Sequence, residues 1–302
     1  MTTNDKAPEA TKERKHGSLW YEAWVRFSRN KLAMIGLVMV LILLGIALFA
    51  PYIAPYDPFK QLIWTEGKAA KLAAPSMKHL MGTDLYGRDI LSRVIFGARI
   101  SLQIGVFATI VSLLIGIPLG AMAGFFGGKI DDAISWLINV VFAFPFFLFV
   151  LAIIAVFNNP SMMVVFVAIG LVTWVPVARI TRAQFISLRE REYVEAARAL
   201  GIPTRRIIFS HILPNAVAPV IVQATLGLGS IIMVEAGLAF LGFGAQPPMP
   251  SWGLMISVGQ KYLATGQWWW AIFPGMAIMY TVLAFNFVGD GLRDALDVRL
   301  KR

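Results

Sequence analysis

Long charge-free apolar runs constrain this chain more than any other feature. No Asp, Glu, Lys or Arg occurs within residues 33–53, 100–128, 133–178, 214–234 or 262–289. A helix needs roughly 20 apolar residues to cross a bilayer, so four of these runs suit one crossing each. The third is too long for one, and Asn158-Asn159-Pro160 is a turn signal that divides it into about 133–157 and 161–178. Six crossings result. Only 15% of the 302 residues are charged and 58% are hydrophobic, too little charge to clothe a soluble protein of this size. The expected fold is an all-α polytopic membrane protein with six transmembrane helices.

The net charge of +10 sits at the ends of the apolar runs. That is membrane topology rather than a groove for phosphates, so no nucleic acid is expected. With six crossings, 19 of the 27 Lys and Arg residues fall on the side of the N-terminus and 8 on the other. The positive-inside tendency then puts both termini, and the polar segment 179–214, in the cytoplasm. Residues 1–31 form a basic cytoplasmic tail. Residues 1–17 read as disordered, while Trp20, Tyr21, Trp24 and Phe27 beside Arg26 and Arg29 predict an interfacial helix over 18–30. The first apolar run, 32–53, is too long for a cleaved signal and reads as an anchor.

Residues 54–99 form the long extracytoplasmic segment. Its first part shows no clear period, while Ile90, Val94, Ile95 and Phe96 with Arg88, Arg93 and Arg99 predict an amphipathic helix from Asp84 into the second span. The simplest role for the region is a solvated cap braced by Asp84, Asp89 and arginines. Residues 100–290 form a five-helix core, and 291–302 a cytoplasmic tail. Residues 236–260 are also charge-free, but Pro247, Pro248 and Pro250 interrupt them, which predicts a non-crossing loop with a short helix after Ser251. Trp268, Trp269 and Trp270 mark the outer interface where the sixth span begins. Gly116, Gly120 and Gly124 repeat every four residues, the spacing of a close helix–helix seam.

Segment 179–214 carries seven basic and three acidic residues. Helix formers run from Thr181 to Leu200, Gly201 is a stop signal, and Pro203-Thr204 starts a second helix. In one continuous first helix, Phe185, Leu188, Ala196, Ala197 and Leu200 share a flank, leaving Arg182, Arg189, Glu192 and Glu195 wet. Glu195-Ala196-Ala197, Gly201 after three further residues, and Leu213-Pro214 together resemble the EAA loop of the membrane subunits of ABC importers. His211 to Asn215, HILPN, has His where the general pattern has Ile and is similar to the oligopeptide, dipeptide and nickel branch. GTDLYGRD at 82–89, GAQPP at 244–248 and GDGLRDALD at 289–297 match the same branch, and most of the chain beyond residue 80 resembles its C-type permease subunit.

The resemblance implies the ABC importer permease fold in a bacterial plasma membrane. The implied partners are a second homologous permease, two ATP-binding subunits below and a solute-binding protein above, with a peptide-like substrate. Nickel complexes and glutathione are further substrate classes of such systems. Coupling to the ATPases would fall to Glu195, Ala196, Ala197, Arg198, Gly201, Arg205 and Arg206, with ATP closure moving the loop as a lever. Selection would rest mainly with the binding protein.

No bond chemistry is legible. The nearest approach to a phosphate loop, Ala123 to Ile130, lacks its first glycine and its final Ser or Thr, so ATP and magnesium are expected on the partner subunits and no cofactor in this chain. The three histidines lack metal-pair spacing, no nucleophile elbow occurs and there is no cysteine. Glu235 is the one acid within an apolar run. Its depth puts it near the outer surface, either as a gate-region contact or as a satisfied interfacial acid. Gly227 and Gly229 either line a translocation path or pack helices. An ion-coupled carrier acting alone predicts internal repeats and mid-membrane ionisable groups; a receptor anchor predicts a large soluble domain.

Overall fold

A computed structural model describes residues 19–157 and 161–296. The expected tail at 1–17, the turn at 158–160 and the last six residues lie outside the described residues. Twelve helices follow one another, with no strand among the described residues beyond a single bridge between Thr83 and Asp89. Helix α1, Leu19–Arg29, ends at Asn30, whose side chain accepts from the Leu32 and Ala33 N–H groups and so starts α2, Lys31–Ile53. A single turn, α3 (Ile63–Glu66), interrupts the following segment. Asp89 then caps α4, Ile90–Phe126, by accepting from the Ser92 N–H.

Helix α4 has 37 residues, about 55 Å at 1.5 Å per residue, and continues through Pro118. Residues 84–89 are a tight loop, so the predicted amphipathic stretch and the second span are one helix beginning at Ile90 and not at Asp84. Gly127 and Gly128, both at positive φ, turn the chain into α5, Gly128–Ala143. Helix α6, Phe146–Val156, follows at 95° to α5. The single crossing expected for 133–157 is therefore broken: Pro145 has no N–H to continue α5 and instead opens α6.

Helix α7, Met162–Arg189, is capped by Ser161. After α8 (Glu192–Ala199) and the turn α9 (Thr204–Arg206), a π-turn over Ile207–Ile212 leads into α10, Leu213–Phe240, which outruns the expected end at Val234. Helix α11, Trp252–Gly259, has only eight residues, is capped by Ser251 and returns against α10, so 236–260 does not cross. Helix α12 is Trp269–Leu296. Five helices (α2, α4, α7, Thr204–Phe240 and α12) are long and apolar enough to cross a membrane, and the count reaches six when the bent α5–α6 pair is taken as one span.

The glycine seam holds the centre, and it lies within the chain. A Cβ on Gly116 would stand 2.7 Å from the Trp174 carbonyl oxygen, and one on Gly124 would stand 2.6 Å from that of Arg182, while Gly120 faces Ala178 and Thr181. Backbones of α4 and α7 therefore touch along three turns. Helix α2 closes on α12 in the same manner, through Gly36 and Gly291.

The bundle has two distinct ends. One gathers the start of α2, the α4–α5 turn, segment 179–214 and the C-terminal part of α12; the other gathers residues 54–89, residues 241–268 and the tryptophan cluster. Residues 54–89 are braced as expected, with an exposed outer surface, but the charges that brace them are buried. Asp84 is fully buried, accepts from the Tyr86 and Arg88 N–H groups and from Arg88 Nε at 2.7 Å, and lies 3.8 Å from Arg93 Nε. Arg93 also donates to the Pro58 carbonyl, and Trp269 Nε1 donates to that of Thr83. His79 is clamped between Asp89 and Glu66, and Lys78 beside Glu66 holds that carboxyl below the usual carboxylate range. Asp84, Asp89 and Arg93 thus tie the loop to the start of α4, and the Trp269 indole ties it to the start of α12.

Candidate coupling hairpin and translocation cavity

The polar segment 179–214 is a compact arm rather than two simple helices. One helix over 181–200 would put Val194 half a turn from Phe185, since nine residues make two and a half turns. The chain breaks at Glu190-Arg191 instead, where Arg191 is extended. The break re-phases α8, so Phe185, Val194 and Ala197 bury into one core with Ile207, Ile212 and Ala216. Ala196 and Leu200, assigned to the apolar flank on the single-helix reading, point outward, and Leu200 is 80% exposed.

The arm's tip is set by Gly201. Ile202 N–H donates to the Ala197 carbonyl and Gly201 N–H to that of Arg198, the 6→1 and 5→2 bonds of a Schellman end. This end needs a left-handed residue, and Gly201 has φ +72° with open space where a Cβ would be. Glu192 and Glu195 occupy the first turn of α8 and Arg198 the last, each complementing the helix dipole. Glu195, Ala196, Arg198, Gly201, Arg205 and Arg206 are exposed together, beside Phe209, while Ala197 is buried beneath them. The structure thus brings all seven expected coupling residues to one tip, with Ala197 anchoring rather than facing out.

Arg182 and Arg189, expected to stay wet, instead fasten this arm, with Asp131 as a partner that the sequence reading did not name. Arg182 donates twice to Asp131, at 2.5 and 2.6 Å, tying α7 to α5. Arg189 donates to the Gly124 carbonyl at 3.0 Å, and the Arg198 guanidinium lies 5.5 Å from the Phe125 ring centre. The arm is therefore fastened to the rim of α4 and α5. The signal was present in part: Asp131 is one of the two acids between the second and third apolar runs.

A cavity of about 320 Å³ lies among α4, α6, α7 and α10. It is lined by Thr109, Ser112, Thr173, Gln223, Gly227 and Ser230 among apolar neighbours, with no charged side chain. The Ser112 hydroxyl donates to the Thr173 carbonyl and the Thr173 hydroxyl to that of Ile169, so both protons are committed within the helices and the oxygens keep only acceptor capacity. The two expected glycines separate. Gly227 lines the cavity, whereas Gly229 packs on Val282 of α12, 3.4 Å from where its Cβ would stand. Glu235 is near the far end of α10, as its depth implied, and is fully buried within the chain. Ser251 is its polar neighbour, although neither carboxyl oxygen meets strict hydrogen-bond geometry with a described group.

Residues 116–302 match the family model described as binding-protein-dependent transport system inner membrane component, and residues 18–75 match the N-terminal TM domain of oligopeptide transport permease C. The chain belongs to this permease family. The dipeptide transport system permease protein of Alkalihalophilus pseudofirmus is 43% identical over 301 residues, covering 100% of this chain and 97% of its own length. The corresponding Escherichia coli protein is 46% identical over 287 residues, 93% of each chain. The permease fold agrees with a solved structure, the inward-facing MetNI methionine ABC transporter, at TM-score 0.54 and 19% identity over 68% of this chain and 97% of that one. In this permease the glycine seam and the broken α5–α6 pair lie in the 116–302 match, the hydroxyl-lined cavity does so except for Thr109 and Ser112, and the buried-charge cap straddles the end of the N-terminal match.

Proposed function

We propose that this permease is one of two membrane subunits forming the path of an ATP-driven importer for di- and oligopeptides, and that its arm is the contact with the ATPases. The importer would lie in a bacterial plasma membrane with the arm end in the cytoplasm, and a solute-binding protein would dock at the end bearing residues 54–89. ATP and magnesium would be held by two partner ATPase subunits. The peptide assignment follows the dipeptide relatives, whose similarity runs the length of the chain. The coupling role is carried by one observation: an exposed, Schellman-ended tip on an arm that is itself bolted to α4 and α5 by Arg182 and Arg189.

Such an arm transmits displacement. Its core residues each contribute about 1.5–3 kcal/mol on full burial of a Val or Ile side chain, and Arg182 crosses to a second helix, so a push on α8 is carried into the α4–α7 pair instead of being absorbed in the loop. The cavity, with one wall from α10, would open and close as that pair rocks. Gly227 would give backbone to the path wall.

Substitution at the tip tests this. A left-handed position costs a non-glycine residue roughly 1–2 kcal/mol, and if that is lost from the docked state uptake falls by roughly tenfold. Gly201→Val is expected to insert and assemble normally while ATP-dependent dipeptide uptake drops by that factor; Gly201→Asn, which tolerates this conformation, should retain most of it. Unchanged uptake in Gly201→Val would remove the tip from coupling.

A further inference from the structure

A second cavity, of about 730 Å³, lies at the arm end among α7, α10 and α12. Gln223 and Leu226 line both it and the hydroxyl-lined cavity, so the two spaces adjoin at these side chains. Its wall holds Gln184, Ser187, Arg191 and Arg293 and no acidic residue. Neither Arg191 nor Arg293 has an ion-pair partner among the described residues, in contrast to Arg182, which is committed to Asp131. Two guanidinium groups from elements more than 100 residues apart thus share one water-accessible space, which adjoins the uncharged cavity further along α10.

We propose that Arg191 and Arg293 form an anion subsite that receives the carboxylate of the transported solute as it leaves the path. The proposal rests on the peptide reading, since every unmodified peptide carries a terminal carboxylate. The guanidinium fork matches a carboxylate with two parallel N–H···O bonds, and the cavity volume lies within the range that encloses small ligands. Gln184, Gln223 and Ser187 supply donors and acceptors for amide groups without selecting side chains. A solute crossing the neutral cavity would therefore meet positive potential only at the arm end, drawing its carboxylate outward from the membrane.

The chain has no cysteine, so Ser187→Cys gives one thiol that reports the local potential in the assembled transporter. A negatively charged thiosulfonate is expected to label it roughly tenfold faster, relative to a free thiol, than a positively charged one. In the R191Q/R293Q background that preference should vanish, while the R191K/R293K background should keep it, separating charge from packing. Dialanine should slow labelling and dialanine amide should not. A preference indifferent to the arginines, or protection by both compounds or by neither, would overturn the subsite. Dialanine uptake by the same transporter tests the peptide reading separately. Lost uptake with an intact arginine-dependent preference would overturn that reading alone, and normal uptake without the preference would overturn the subsite alone.

Discussion

Gly120→Leu is expected to be the most damaging single substitution in the transmembrane bundle. Any Cβ at this position overlaps the Ala178 carbonyl oxygen and lies 2.7 Å from Thr181 Cβ, both on α7. Backbone cannot yield as a side-chain end can, so α4 and α7 must separate along the whole Gly116–Gly124 seam. Overpacking of a tight core costs typically 1–3 kcal/mol, and a residue three carbons beyond Cβ against backbone belongs at or above the top of that range. The expected loss is about 3 kcal/mol or more, read as denaturant unfolding of the purified permease in detergent. Gly45 of α2 has open space around its Cβ position, and Gly45→Leu should change stability little. Equal effects at the two positions would mean that the seam is not a contact.

Asp84→Ala is expected to be nearly as severe, at the opposite end. It leaves Arg88 and Arg93, respectively 8% and 3% exposed, with positive charge and no carboxylate between them. Removing one partner of a buried pair typically costs 3–5 kcal/mol, because the desolvated charge remains. Asp84→Asn should recover only part, since the amide oxygen still accepts from the Tyr86 and Arg88 N–H groups while its nitrogen confronts Arg88 Nε. Proteolysis within residues 54–89 should increase together with the stability loss. A change below about 1 kcal/mol would show that water already screens this knot, as for exposed ion pairs.

The sequence was most informative where one physical constraint acts alone. Apolar run length located the crossings, and the four-residue glycine spacing named a seam that the structure places between α4 and α7. Prolines at 247, 248 and 250 correctly kept 236–260 from being read as a span. It was least informative where two constraints compete. Pro145 marks a disturbance, but nothing local distinguishes a kink from the 95° break. The arm from Thr181 to Leu200 has helix formers throughout, and only the phase of Val194 and Ala197 against Phe185 betrays the break at Glu190-Arg191. The cap was read as solvated, braced by Asp84, Asp89 and arginines, because loops usually face water, whereas here the bracing groups find their partners within ten residues and fold inward. Gly227 and Gly229 differ in role only because α12 covers one of them, and Arg191 gains meaning from Arg293, which no local pattern connects to it.

The contact assigned to the arm can be measured directly. A single cysteine at Leu200, which is 80% exposed at the tip, and another at Trp64, which is 84% exposed at the far end of the bundle, can each be treated with a short thiol cross-linker in membranes containing the assembled transporter. Leu200→Cys is expected to join to the ATPase subunit with a yield that changes when ATP is added, and Trp64→Cys to give no such product. An ATPase product from Trp64→Cys, or none from Leu200→Cys in a transporter that still imports dipeptide, would contradict force entering through this arm.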